Sequence, residues 1–91
     1  GDIVFWTFYL RVSEPDTVFA DIELHYEDGQ RESIRVRKHH PGDGEWHLMR
    51  LGCQVPTNHP KSMRFAIHVR PEARQPVFIS DARVEVVSAV P

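Results

Sequence analysis

Hydrophobic residues recur at every second position through most of this chain, and a period of two predicts strands rather than helices. Val18, Ala20, Ile22, Leu24 and Tyr26 alternate with Phe19, Asp21, Glu23, His25 and Glu27. A strand over 18–27 therefore buries the first set and shows the second. Met63, Phe65, Ile67 and Val69 alternate in the same way with Arg64, Ala66, His68 and Arg70. Residues 3–12 are the most apolar, rich in the aromatic and β-branched types that favour strands. Val4, Trp6, Phe8, Leu10 and Val12 share one face; Ile3, Phe5, Thr7, Tyr9 and Arg11 share the other. Aromatic residues on both faces predict a central strand, with the core on one side and another cover on the second.

Turn chemistry divides these segments. Ser13-Glu14-Pro15-Asp16 forms the first turn, where Pro15 lacks a backbone donor and Asp16 can bond its own backbone. Asp28-Gly29 marks a hairpin, because that turn needs positive φ. The returning strand, 31–38, turns Ile34 and Val36 inward and Ser33, Arg35 and Arg37 outward. Residues 39–45, HHPGDGE, read as an exposed loop. A strand over 44–55 follows, kinked, with Trp46, Met49, Cys53 and Val55 toward the core, and it stops at Pro56. The last strand, 77–87, reads as buried, with Ile79, Ala82, Val84 and Val86 spaced around a kink at Ser80-Asp81. Six short strands separated by turns, with no helix, imply an all-β antiparallel sandwich or barrel.

Ninety-one residues make one domain, spanning 1–91. The strand pattern begins by Ile3 and runs to about Val87, as expected of a module excised from a larger protein. A net charge of −2 gives no general reason to bind nucleic acid or an anionic membrane. The basic run from Arg35 to His40 is too short to change that. No apolar run approaches the ~20 residues of a membrane-spanning helix. The single cysteine, Cys53, excludes an internal disulfide and falls at an apolar position, as a small core residue would.

In order, the chain runs through IVFWTFYLRV, HYEDGQ, GEWHLMRLGCQVP, MRFAIHV and VFISDARVEVV. This succession resembles the C-terminal two-thirds of jelly-roll carbohydrate-binding modules of the kind grouped in families four, nine and twenty-two, and related galactose-binding-like sandwiches. The resemblance implies a jelly-roll sandwich, a noncatalytic glycan-binding accessory role, and an extracellular or cell-envelope parent protein. Such modules also carry an N-terminal segment with an Asn and a Phe-Glu pair, which is absent here. Of the residues that hold their structural calcium, only Asp81 carries over.

Sugar binding needs flat aromatic faces for the apolar side of a pyranose and polar groups for its hydroxyls. Away from the predicted core, Phe5, Tyr9 and Phe19 offer platforms, and Arg11, Glu23, His25, Arg35, Arg37, Arg64, His68 and Arg70 offer polar partners. Nine of these, all but Arg11 and Arg70, form the expected ligand-binding set. Several arginines would suit an anionic glycan, since a guanidinium matches a carboxylate or sulfate. In the competing reading the aromatic residues pack against a neighbouring domain and the arginines pair with Asp and Glu, which makes a structural or protein-docking sandwich. Trp46 is expected in the core. No cofactor or metal is expected: adjacent His39 and His40 point apart on an extended chain, and no cupin-like His-x-His with a following Glu occurs. No serine carries nucleophile-elbow glycines, so no catalytic role is expected.

Overall fold

The computed structural model describes residues 2–57 and 60–88, and for residues 31–37 the backbone alone. Six strands form: β1 (Ile3–Arg11), β2 (Val18–His25), β3 (Arg31–His39), β4 (Trp46–Gln54), β5 (Ser62–Val69) and β6 (Phe78–Val87). They make two three-stranded sheets, ordered β4-β1-β6 and β3-β2-β5, with every neighbouring pair antiparallel. The all-β sandwich expected from the alternation is the fold observed. Among the described residues no helix is long and apolar enough to cross a membrane.

The two segments with the cleanest alternation are the two central strands. Trp6, Phe8 and Leu10 of β1, Val12 just after it, Val18, Ala20 and Ile22 of β2, and Met49, Leu51 and Cys53 of β4 make one buried cluster; Val4 and Leu24 are buried too. Trp6 lies 4.5 Å from Phe8 and 5.3 Å from Phe65 between ring centroids, both tilted, which are favourable aromatic geometries. The inward placement of Ile34 and Val36 lies outside the described side chains. The β2–β3 hairpin turns at Asp28-Gly29 as expected. Gly29 adopts φ 82°, its amide donates to Tyr26 O, and the Gln30 amide donates to Asp28 Oδ1.

Strand β4 departs from expectation. Its register with β1 runs unbroken from Ile3 opposite Gln54 to Arg11 opposite Trp46, so it has no kink. In a regular strand residues three apart lie on opposite faces. Met49 and Cys53 are buried as expected, and Leu51 joins them; Trp46 shares the outer face with Leu48 and is 47% exposed. The expected core tryptophan is therefore a surface residue.

Strand β6 does kink, at the expected step. Its register with β1 shifts between Thr7 and Tyr9, and Asp81 there adopts φ 54°. This is a bulge with its extra residue left-handed, a conformation that Asp tolerates better than most residues. The bulge changes parity. Ile79 opposite Leu10, and Val84 and Val86 opposite Trp6 and Val4, thereby point to the same inner face. The expectation that they are buried fails, however: the whole strand is accessible, with Ile79 52%, Val84 48% and Val86 62% exposed. The sandwich closes over β1 and β4 but not over β6. Along this open side, Met63, Phe65 and Ile67 of β5 are only partly buried.

At one end of the sandwich the loop 40–45 is exposed at Pro41, Asp43 and Glu45, as its composition suggests, but not throughout. His40 and Gly42 are buried, and Gly42 sits against the Ser13–Asp16 turn with φ 73°. A side-chain carbon at Gly42 would lie 2.2 Å from Glu14 O. The same Glu14 accepts from Thr17 Oγ1 at its carbonyl and from the amides of Arg74 and Gln75 at its carboxylate, 2.8 Å each. Gly42→Ala combines left-handed strain with a backbone clash and should cost roughly 3–5 kcal/mol. At Gly29, nothing lies within 4 Å of the added carbon, so Gly29→Ala should cost only about 1–2 kcal/mol. Urea titration of both variants checks the difference.

Candidate functional site

Three groups of polar or aromatic side chains stand out. The first is the loop cluster of His40, Asp43 and His47, whose ligand-type atoms lie within 4.8 Å of one another. Its hydrogen bonds decide its role. His40 Nδ1 accepts from the Gly42 amide at 2.8 Å, so Nε2 carries the hydrogen and donates to Leu10 O at 3.0 Å and Glu45 O at 3.2 Å. Both ring nitrogens are thus spent on backbone groups. The His47 ring stands edge-on to His40 at 4.7 Å, and its Nε2 bonds the Asp43 carboxylate at 2.8 Å. The Glu45 amide, and then His47, hold the Asp43 carboxyl below its ordinary value. A metal needs the very lone pair that His40 gives to Gly42, or the deprotonated Nε2 that faces two carbonyls. The arrangement is that of a hydrogen-bond hub which ties the loop to β1.

The second group occupies the outer face of β3-β2-β5. Phe19, Glu23 and His25 of β2 and Arg64 and His68 of β5 meet here, with Phe19 opposite His68 and Glu23 opposite Arg64. Phe19 is no open platform: His68 stacks on it at 4.6 Å and 16°, and His39 lies 5.5 Å away. His68 Nε2 bonds the buried Asp21 carboxylate at 2.8 Å, which fixes the stacked ring. Glu23 Oε1 lies 2.6 Å from His25 Nε2, close enough for an ion pair but off the line that a hydrogen bond requires. The side chains of Arg35 and Arg37 lie outside the described residues.

The third group lies on the opposite side of the molecule, on the outer face of β4-β1-β6. Register sets it out in rows. Trp46, Arg11 and Phe78 make one, Leu48, Tyr9 and Ser80 the next, Arg50, Thr7 and Arg83 the third, and Gly52, Phe5 and Glu85 the fourth. Phe5 rests over Gly52, and the Arg50 guanidinium lies 4.5 Å above its ring, a cation–π contact. That aromatic face is already occupied. Tyr9, Trp46, Leu48 and Phe78 are exposed. Arg11 stands among them with its Nε–H donating to Gly44 O at 2.8 Å.

The expected nine-residue set therefore does not form one surface. Phe5 and Tyr9 lie on one outer face, and Phe19, Glu23, His25, Arg64 and His68 on the other, because β1 and β2 belong to different sheets. Trp46, Phe78 and Arg11 complete the group around Tyr9. The sequence held a signal for Trp46: Met49, Leu51 and Cys53 alternate without a break, which puts Trp46 on the other parity.

His40→Ala strips partners from two carbonyls and one amide and should cost about 2–4 kcal/mol, read by urea denaturation. A zinc site of micromolar affinity would add about 4 kcal/mol at millimolar zinc; we expect no rise in melting temperature on adding zinc. Burial pushes the Cys53 thiol up, and only the thiolate attacks alkylating agents. Iodoacetamide should modify Cys53 roughly a hundredfold more slowly in the native protein than in denaturant.

Comparison of the chain with protein families, with curated proteins and with solved structures finds no match.

Proposed function

We propose that this domain is a noncatalytic binding module that takes a glycan on the outer face of β4-β1-β6. One observation carries the reading. Tyr9, Trp46 and Phe78 stand exposed on adjoining rows, one on each strand, around an arginine fixed at its Nε. Adjacent strands are about 4.8 Å apart, so Trp46 and Phe78 are separated by roughly 10 Å, with Arg11 between them. Indole, phenol and phenyl rings offer large apolar surface at low entropic cost, which suits the C–H face of a pyranose. The Arg11 fork favours a sugar bearing a carboxylate or sulfate. The jelly-roll resemblance points the same way and carries with it an accessory role in a larger extracellular or envelope protein. Neither reading involves a catalytic step.

A second reading has its own support. Leu48 and Val87 are exposed on this same face, and aliphatic side chains suit an apolar protein partner better than a sugar. A glycan array that includes uronic-acid and sulfated sugars, followed by calorimetry on any hit, separates the two. Binding weakened about tenfold or more by both Tyr9→Ala and Trp46→Ala, equivalent to at least ~1.4 kcal/mol, supports the glycan site. Both residues are about half exposed, so the melting temperature should barely change. Absence of binding at ~10 mM sugar, or binding indifferent to both variants, overturns it.

A further inference from the structure

We propose that β6 is the docking edge of a symmetric dimer, in which two copies of this chain pair β6 with β6 antiparallel, centred on Val84. The proposal does not depend on the glycan reading. Strand β6 ends its sheet, so among the described residues one row of its backbone donors and acceptors has no neighbouring strand. Natural sheets usually blunt such an edge with charged side chains, lysine above all, with proline or with a distorting bulge. Strand β6 has no lysine or proline; its charges Arg83 and Glu85 are opposite in sign, and its bulge lies at Asp81, upstream of a regular run from Arg83 to Val87. The inner face of that run is apolar and half open, at Val84 and Val86, and Met63 and Phe65 of β5 in the other sheet are only partly buried. A strand laid along β6 would satisfy the backbone row and close this seam.

The charges choose the occupant and the register. In antiparallel pairing of β6 with itself, backbone groups meet only when the two paired residue numbers share parity. That restricts the symmetry axis to a residue rather than a gap between residues. Centring on Arg83 sets Arg83 opposite its own copy and Glu85 opposite Asp81. Centring on Glu85 sets Glu85 opposite its own copy. Like charges directly opposed destabilise a sheet. Centring on Val86 sets Glu85 opposite Val87 and gives neither Arg83 nor Glu85 an opposite charge to face. Centring on Ala82 uses the left-handed Asp81, where the ladder is broken. Centring on Val84 sets Arg83 opposite Glu85 on each side of the axis, outside. Inside, it sets Val84 against Val84 and Val86 against Ala82. Such an interface is isologous, which is what a twofold dimer requires.

Analytical ultracentrifugation of the 91-residue protein, with three variants, tests this. The wild type should dimerise. Arg83→Glu or Glu85→Arg alone places two pairs of like charges in opposition and should raise the dimer dissociation constant about tenfold. The double variant Arg83→Glu/Glu85→Arg should restore it. Both positions are exposed, so near-ultraviolet circular dichroism should report an unchanged fold. Amide exchange of the wild type adds a measurement that needs no variant: protection in β6 should rise with protein concentration. A chain that stays monomeric overturns the proposal. So does a dimer that ignores the charge reversals, one that the double variant fails to restore, or one lost instead with Trp46→Ala.

Discussion

Burial of the even-numbered side chains of β1 against those of β2 is the contact on which the rest of the molecule depends. Phe8, Leu10, Ala20 and Ile22 are wholly buried, and they belong to the central strands of the two sheets. Each edge strand is held by a ladder to one of these two and by whatever cover the facing sheet provides. Strand β4 receives that cover, since Met49, Leu51 and Cys53 are buried. Strand β6 does not. The molecule is therefore packed on one side and splayed on the other, with the Trp6–Phe65 contact at the boundary. Burying a side chain the size of Val or Ile is worth about 1.5–3 kcal/mol, so the half-exposed Ile79, Val84 and Val86 leave a substantial part of that stabilisation unrealised.

The closed end is secured by a different kind of interaction. Three connections meet there, at 13–17, 40–44 and 70–75, and none brings much apolar surface. Polar groups with defined partners hold them instead. Glu14 spans two of the connections through its carbonyl and carboxylate. His40 binds the third to β1 and receives the Gly42 amide in return. Gly42 is the residue that permits the approach, for its missing side chain leaves room for the Glu14 carbonyl. A buried histidine beside an aspartate and a second histidine looks like a metal site in composition. Its bonding says otherwise, because a ring nitrogen cannot both accept an amide hydrogen and coordinate a cation.

How much of this was legible in the sequence follows from what alternation can and cannot report. Alternation states which residues share a face of a strand, and for β1, β2 and β5 the assignment to faces holds. It also locates the β6 kink at Ser80-Asp81, because the parity of the apolar residues changes there. Alternation is silent about which strands share a sheet. Phe5, Tyr9 and Phe19 thus read as one surface in the sequence, although β1 and β2 face away from each other on their odd positions. It is silent too about whether a facing strand exists to cover an apolar face, and for this reason Val84 and Val86 read as core. Trp46 reads as core only if β4 is kinked; the unbroken ladder with β1 keeps it on the parity of Leu48, outside. His40 could not be placed, because a loop residue has no period and its burial depends on partners thirty residues away, such as Leu10.

Two apolar surfaces remain on the described molecule, and their physics differs. The outer face of β4-β1-β6 presents side chains alone, since its strands already bond one another, so anything bound there is held by rings, aliphatic groups and the Arg11 fork. The β6 edge adds a row of backbone groups, and a row of backbone groups selects another extended chain. One surface is therefore suited to a flat ligand and the other to a strand, and occupancy of one does not block the other. A twofold axis through Val84 would run perpendicular to the sheet and keep both outer faces on the same side. Two aromatic faces would then lie on one continuous six-stranded surface. A polymeric ligand bridging both faces would gain effective concentration without any new contact. A weak individual site of three aromatic rings and one arginine is the kind that such an arrangement strengthens most.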